Sequence, residues 1–295
     1  MLEPDFKEDT RYYTLSFYES NTAMTPFATI TNAEYGKPLS DYYPAEIPYK
    51  DSSALGLTEA YDFQGYGLIK TATTPVSANA TVTNDQNFYA IFKLVNNIAT
   101  VVHADWFRYE TVGPVSLPDG TQIPGGIQVH PAKVLKGKIT IPATYNGQNV
   151  VSIGEFSGCT ELTHVFIERN NDIRHINSWA FTNLGLKYFD FSHNKIQLIG
   201  EAAFNNCPLI NTNMGTALQR VMPQAFNGAF CEQVNNLTLP ASLRQIDEFA
   251  FSYLNTAYGA SLQIGDSNNY SNWDPTKSYF NSSNDIPNLF WQNEA

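Results

Sequence analysis

Five phenylalanines, each placed a few residues after an Ile or Val, most constrain what this chain can fold into. Ile153-Gly154-Glu155-Phe156 is followed by Ile176-Asn177-Ser178-Trp179-Ala180-Phe181 and by Ile199-Gly200-Glu201-Ala202-Ala203-Phe204. Val221-Met222-Pro223-Gln224-Ala225-Phe226 and Ile246-Asp247-Glu248-Phe249-Ala250-Phe251 complete the series. From Phe156 to Phe251 the spacings are 25, 23, 22 and 25 residues. A self-similar unit of that length predicts a solenoid, in which each coil buries its apolar face only against its neighbours. Such a scaffold presents a surface and seldom closes a catalytic pocket.

The other half of each unit is a strand signal. Leu162-x-x-Val165-x-Ile167, Leu186-x-x-Phe189-x-Phe191, Leu209-x-x-Thr212-x-Met214 and Val234-x-x-Leu237-x-Leu239 repeat an L-x-x-L-x-L pattern. Ile139-Thr140-Ile141-Pro142 opens the set and Leu262-x-Ile264 closes it. This is the strand signature of leucine-rich repeats. Positions one, four and six point inward, and each repeat Phe packs beneath them. Ala180, Ala203, Ala225 and Ala250 precede a Phe, as expected where a short helical turn lies close against its neighbour.

The first part of the chain follows period two instead. Tyr13, Leu15 and Phe17 alternate with Tyr12, Thr14, Ser16 and Tyr18, the mark of a half-buried strand. Phe88–Val95 is read as a second strand and Ala99–Ala104 as a third, continuing towards Trp106-Phe107-Arg108-Tyr109. Tyr61–Tyr66 is read as a short strand entering a Gly turn. The stretch from Gly113 to Gly126, built around Leu117-Pro118-Asp119-Gly120, is turn-rich. The reading is therefore a mainly β chain with short helical turns. It has an N-terminal module over 1–112, a Pro/Gly-rich connector over 113–136, a solenoid over 137–265 and an aromatic-rich polar tail over 266–295. The tail holds Tyr270, Trp273, Tyr279, Phe280, Phe290 and Trp291, too many aromatics for a disordered segment. It is expected to cap the last coil or to meet a neighbouring subunit.

Two family resemblances rest on these residues. Ile141-Pro142-Ala143-Thr144-Tyr145-Asn146-Gly147-Gln148-Asn149-Val150, with Cys159-Thr160-Glu161-Leu162 in register, resembles the BspA-like leucine-rich repeats of bacterial surface proteins. The first unit departs from that pattern by lacking the Ala before Phe156, and the second carries Leu184 in place of the Cys. Leu15-Ser16-Phe17-Tyr18, Tyr35-Gly36-Lys37-Pro38, Phe63-Gln64-Gly65-Tyr66 and Tyr89-Ala90-Ile91-Phe92 are similar to the internalin B-repeat type of β-grasp module, with Tyr66 where members carry Trp. The resemblances imply a β-grasp-like domain followed by a short repeat solenoid that acts in adhesion. They carry over no catalytic residue.

Composition sets limits on partners. Only 15% of residues are charged and the formal net charge is −11, against about 25% charged in ordinary soluble proteins. No cluster of Lys and Arg is present to displace counterions from nucleic acid, and no run approaches the ~20 apolar residues of a membrane span. Cys159, Cys207 and Cys231 all fall inside the repeats and read as small buried residues, not a disulfide framework. A bridge between Cys207 and Cys231 on adjacent coils is the one pairing the spacing permits. The first nine residues are acidic and polar, with no apolar leader signal. The chain is therefore cytoplasmic by birth, or has lost a leader, or leaves a cell by lysis.

The histidines occupy different repeat positions, without H-x-x-H, C-x-x-C or H-E-x-x-H, so no metal site or cofactor is expected. The oxygen-rich segments at 265–269 and 282–285 lack calcium-loop spacing. Candidate binding residues are the outward positions of the L-x-x-L-x-L strands: His164, Phe166, Tyr188, Asp190, Ile210, Asn211 and Asn236, with Thr163, Lys187, Asn213, Asn235 and Thr238 around them. Phe166, Tyr188 and Ile210 are expected to form an exposed stripe, since aromatics dominate binding energy at interfaces. The alternative is a sheet face covered by another part of the chain. The expected function is non-enzymatic: an extracellular or cell-surface adhesion protein that binds a protein or glycan. A second reading is a structural component of a large assembly, such as a phage virion decoration or tail protein.

Overall fold

The computed structural model describes residues 10–77, 79–193, 195–210, 214–229, 236–240, 242–247, 249–251 and 261–264, the side chains of 236–238 and 261–264 excepted. Asn211, Asn213, Asn235, Cys231, the segments at 265–269 and 282–285 and the tail from Asp266, all singled out above, lie outside the described residues. The chain divides into two compact units, Met1–Asn96 and Asn97–Ala295.

The first unit is one four-stranded mixed sheet. Its strands are β1 (Tyr12–Tyr18), β2 (Ala28–Glu34), β3 (Ala60–Gly67) and β4 (Gln86–Val95), in the order β2-β1-β4-β3. β1 and β4 run parallel, with Phe17 opposite Phe88, and the two outer pairings are antiparallel. Alternation decides the face: Leu15, Phe17 and Phe88 are fully buried, and Phe17 stacks on Phe88 at 4.9 Å between ring centroids. Tyr66 closes on both rings edge-on.

The second unit contains a β-solenoid of about four turns. Its strands are β5 (Phe107–Val112), β6 (Val115–Ser116), β7 (Gln122–Ile123), β8 (Gly126–Pro131), β9 (Gly137–Ile141), β10 (Thr144–Tyr145), β11 (Gln148–Ile153), β12 (Leu162–Ile167), β13 (His175–Ile176), β14 (Tyr188–Phe189), β15 (Leu198–Ile199), β16 (Arg220–Val221), β17 (Asn236–Leu239), β18 (Gln245–Ile246) and β19 (Ser261–Ile264). A long sheet runs β18-β16-β15-β13-β11-β8-β5, and opposite it a shorter one runs β14-β12-β9. All these neighbours are parallel except β5 and β8, which pair antiparallel.

Two expectations change here. Ala99–Ala104 is not a strand; Ile98–Thr100 and Ala104–Trp106 are 3-10 turns. Phe107–Val112 does form a strand, but it joins the solenoid sheet through β8. The physical reason is the open end of the coil stack. Phe107 sets its ring edge-on against Phe156 at 6.4 Å and so covers apolar surface that the first coil leaves open. The 113–136 stretch is likewise part of this unit, as the β6–β7 hairpin and β8.

The core between the sheets is a column of phenylalanines. Centroids of Phe156, Phe181, Phe204, Phe226 and Phe251 follow one another at 4.9, 5.3, 5.2 and 5.2 Å, and all five rings are fully buried. The corner that carries them is a run of turns instead of a helix. Phe156, Phe181, Phe204 and Phe226 donate their amides to Ala180, Ala203, Ala225 and Ala250 of the next coil at 2.7–2.8 Å. The amides of those alanines instead close turns three residues back, at 3.2–3.3 Å. An α-helix needs successive amides to point four residues back, so this alternation stops it.

Reversing the chain in this way requires left-handed residues. Trp179, Ala202, Gln224 and Phe249 have φ of 63°, 50°, 57° and 56°, each against a penalty of roughly 1–2 kcal/mol. Two residues after the Phe, where the same conformation recurs, the chain uses Gly158, Asn183, Asn206 and Gly228, which adopt it more readily.

Candidate functional site

The outward positions of β9, β12 and β14 sort into rows because the three strands are in parallel register. His164 lies opposite Lys138 on one side and Tyr188 on the other. Phe166 lies opposite Thr140. Thr163, Lys187 and Ile210 form a separate row, linked by amide bonds from Lys187 to Thr163 and from Ile210 to Lys187, each 2.8 Å. Val165 and Phe189 face the opposite way and are fully buried.

The expected Phe166–Tyr188–Ile210 stripe therefore does not exist as one surface. Phe166 is 3% exposed. The Ile98–Thr100 turn packs on β9 and β12, and Thr140 beside Phe166 donates its Oγ1 to the Ile98 carbonyl at 2.6 Å. Phe166 is thus a core residue of this end of the sheet, its ring 5.3 Å from that of Tyr188. Asp190, 6% exposed, is also not free for a partner. It accepts from the Ser192 amide at 3.0 Å and from the Ser192 hydroxyl, and lies 3.2 Å from His193 Nε2, fixing the turn after β14. Ile210 is 49% exposed, one row away from Tyr188. Asn236 begins β17, which pairs with β19. Asn211 is outside the described residues.

What the face does present is His164 and Tyr188, both half-buried, their rings stacked at 5.9 Å. Thr163 gives its hydroxyl proton to the Gly137 carbonyl at 3.0 Å, so it accepts from His164 Nδ1 at 2.9 Å. That leaves His164 Nε2 as a bare acceptor. Burial, with the ammonium groups of Lys138 and Lys187, lowers the His164 pKa to about 4. Burial and then Asp190 raise that of Tyr188. At neutral pH the face presents an uncharged imidazole and a phenol, with Lys138 and Lys187 near the imidazole. Among the described residues, no group of three or more His, Cys, Asp or Glu is placed to hold a metal ion. Cys159 and Cys207 are buried and not joined in a disulfide, and Cys207 donates its thiol proton to the Phe181 carbonyl at 2.8 Å.

The long sheet is a second outward face that the L-x-x-L-x-L pattern does not mark. The residue before each inward Ile or Val faces outward there: Ser152, His175, Leu198, Arg220 and Gln245 stand in register across five strands. The signal for this face is the position preceding each repeat Ile or Val, which recurs with the Phe spacing.

Residues 138–272 match, in six copies, the family described as BspA type leucine rich repeat region. This stretch is similar to BspA-type leucine-rich repeats. No curated protein matches the chain. Among solved structures, a leucine-rich repeat protein from Bacteroides ovatus is similar at 23% identity and a TM-score of 0.41, over 56% of this chain and 40% of that one. The Treponema pallidum leucine rich repeat protein is similar at 21% identity and a TM-score of 0.32, over 56% and 81% respectively. A leucine rich cell surface protein from Faecalibacterium prausnitzii shares 14% identity at a TM-score of 0.25, over 54% and 55%. The chain thus spans less than half the length of the Bacteroides ovatus protein. Among the described residues, no helix is long and apolar enough to cross a membrane.

Proposed function

We propose that this chain is a non-enzymatic adhesion protein, secreted or held at a cell surface, whose BspA-type region binds a protein partner through the His164–Tyr188 face. The observation that carries the reading is a parallel sheet that holds the His164–Tyr188 ring pair half-exposed on one face, with Lys138 and Lys187 near His164. Tyr supplies large contact area at little entropic cost, and the paired rings are already held together before any partner arrives. Lys138 and Lys187 bring positive charge near the imidazole on a chain of net charge −11, which favours a partner with carboxylates. The strand order β2-β1-β4-β3, with β1 and β4 parallel at the centre, supports a β-grasp-like spacer as the first unit's role.

The test is biolayer interferometry of the protein over immobilised fibronectin, laminin and collagen. Binding to at least one is expected, and the double variant His164→Ser, Tyr188→Ser should lose it while melting like the parent. Absence of binding to all three, or full retention by the variant, refutes the reading.

A further inference from the structure

The long sheet carries a second set of polar side chains that the proposed partner face does not use. Gln128, Ser152 and His175 stand side by side on β8, β11 and β13, with Asn177 just past the last of them. Gln128 and Ser152 are 5% and 2% exposed. The Gln128 amide is held from both ends. Its Nε2 donates to Glu110 Oε1 at 2.7 Å, and its Oε1 accepts from Ser152 Oγ at 3.0 Å and from Asn177 Nδ2 at 2.6 Å.

These commitments fix what remains on offer. With its only proton given to Gln128, the Ser152 hydroxyl accepts from His175 Nδ1 at 3.5 Å. The His175 Nε2 is then an acceptor, and Asn177, its Nδ2 turned to Gln128, presents Oδ1. This is the reverse of nucleophile activation, in which the histidine must take the serine proton. Burial holds the His175 pKa at about 4, so the ring is neutral at physiological pH.

The β6–β7 hairpin lies across this part of the sheet. Its Val115, Leu117 and Ile123 pack against Leu198 and Met222. Between the base of the hairpin and the sheet is a cleft of about 250 Å³, walled by Val115 and Ile123 and floored by Gln128, Ser152, His175 and Asn177. Among the described residues, no charged side chain lines it. A charged ligand would lose hydration there without a counter-charge in return. An apolar ligand would leave two acceptors unmatched. A ligand that fits must be neutral, donate hydrogen bonds from one face and present C–H surface on the other. The volume lies just under the roughly 300–1,000 Å³ of pockets for drug-sized ligands, which leaves room for one ring.

We propose that this cleft binds a neutral, hydroxyl-rich ligand the size of a single sugar ring, with donated hydroxyl protons on His175 Nε2 and Asn177 Oδ1 and the ring's C–H face against Val115 and Ile123. It is a site separate from the His164–Tyr188 face.

The experiment is a titration of isotope-labelled protein with glucose, galactose, mannose or N-acetylglucosamine, followed by amide shifts. Saturable shifts with a millimolar Kd, confined to β8, β11, β13 and the hairpin, are expected for at least one sugar. Asn177→Leu should weaken that binding at least tenfold. Val115→Trp, which fills the cleft from the hairpin side and leaves the polar network intact, should abolish it with the melting midpoint kept. No saturable shifts with any sugar, shifts centred on other residues, persistence in Val115→Trp, or tighter binding of glucuronate than of glucose would each overturn the proposal.

Discussion

Phe204 sits at the middle of the aromatic column, and truncating it measures whether the column is one cooperative structure. Its ring is fully buried, stacked on Phe181 at 5.3 Å and 15° and on Phe226 at 5.2 Å and 5°. Phe189 and Phe191 close on it at 5.4 and 6.0 Å. Removing a buried Phe side chain costs about 3–5 kcal/mol, and aromatic pairs contribute about 0.5–1.5 kcal/mol each beyond area burial. With rings on both sides and little chance of collapse between two fixed coils, Phe204→Ala belongs at the upper end, about 4–5 kcal/mol. That is a large part of the total stability of about 5–15 kcal/mol for a domain. Urea unfolding followed by circular dichroism is the assay. With a slope of about 2 kcal/mol per molar, within the usual range, the midpoint should fall by about 2 M. A fall of less than about 0.5 M with unchanged slope would show that the coils do not depend on a continuous Phe column.

Other outcomes follow from the same geometry. His164 and His175 both have pKa values lowered to about 4, so between about pH 6.5 and 4 the unfolded chain binds protons that the native state refuses. Stability should be full above that window and fall as pH drops through it; a His164→Gln, His175→Gln double variant with the same pH slope refutes the assignment. Gly200→Ala places a Cβ 2.3 Å from the Ser178 nitrogen and 2.6 Å from the Asn177 carbonyl carbon, backbone that cannot swing aside. It should cost about 1–3 kcal/mol, and an unchanged urea midpoint would show that the coils are not so closely stacked.

Much of the solenoid was legible because a coil's contacts recur at a fixed distance along the chain. Phe204 meets Phe181 and Phe226, so its burial is written in the spacing itself. The inward Val165 and Phe189 followed from the same count. The candidate site was less legible, since what covers an outward position is set by chain segments outside the repeat, such as the Ile98–Thr100 turn. Phe166 and Asp190 hold position five of the strand pattern and are buried, whereas His164 and Tyr188 hold position three and are half-buried, so the expected stripe joined positions with different surroundings.

Sequence alone therefore determined the repeat, its aromatic column and the half-buried sheet of the first unit, because local alternation and period record which side of a strand faces the core. Tertiary structure decided what the repeat does not encode. The Ile98–Thr100 turn covers Phe166 through a hydrogen bond from Thr140, 42 residues along the chain. Phe107 belongs to the second unit and packs edge-on against Phe156 at the end of the Phe column, where the first coil has no preceding repeat Phe. Gln128 meets Ser152 and Asn177, 24 and 49 residues away, only once strands β8, β11 and β13 have been laid side by side. These are long-range contacts made at the ends and on the outside of the solenoid, where each coil's environment differs from the next and periodicity carries no information.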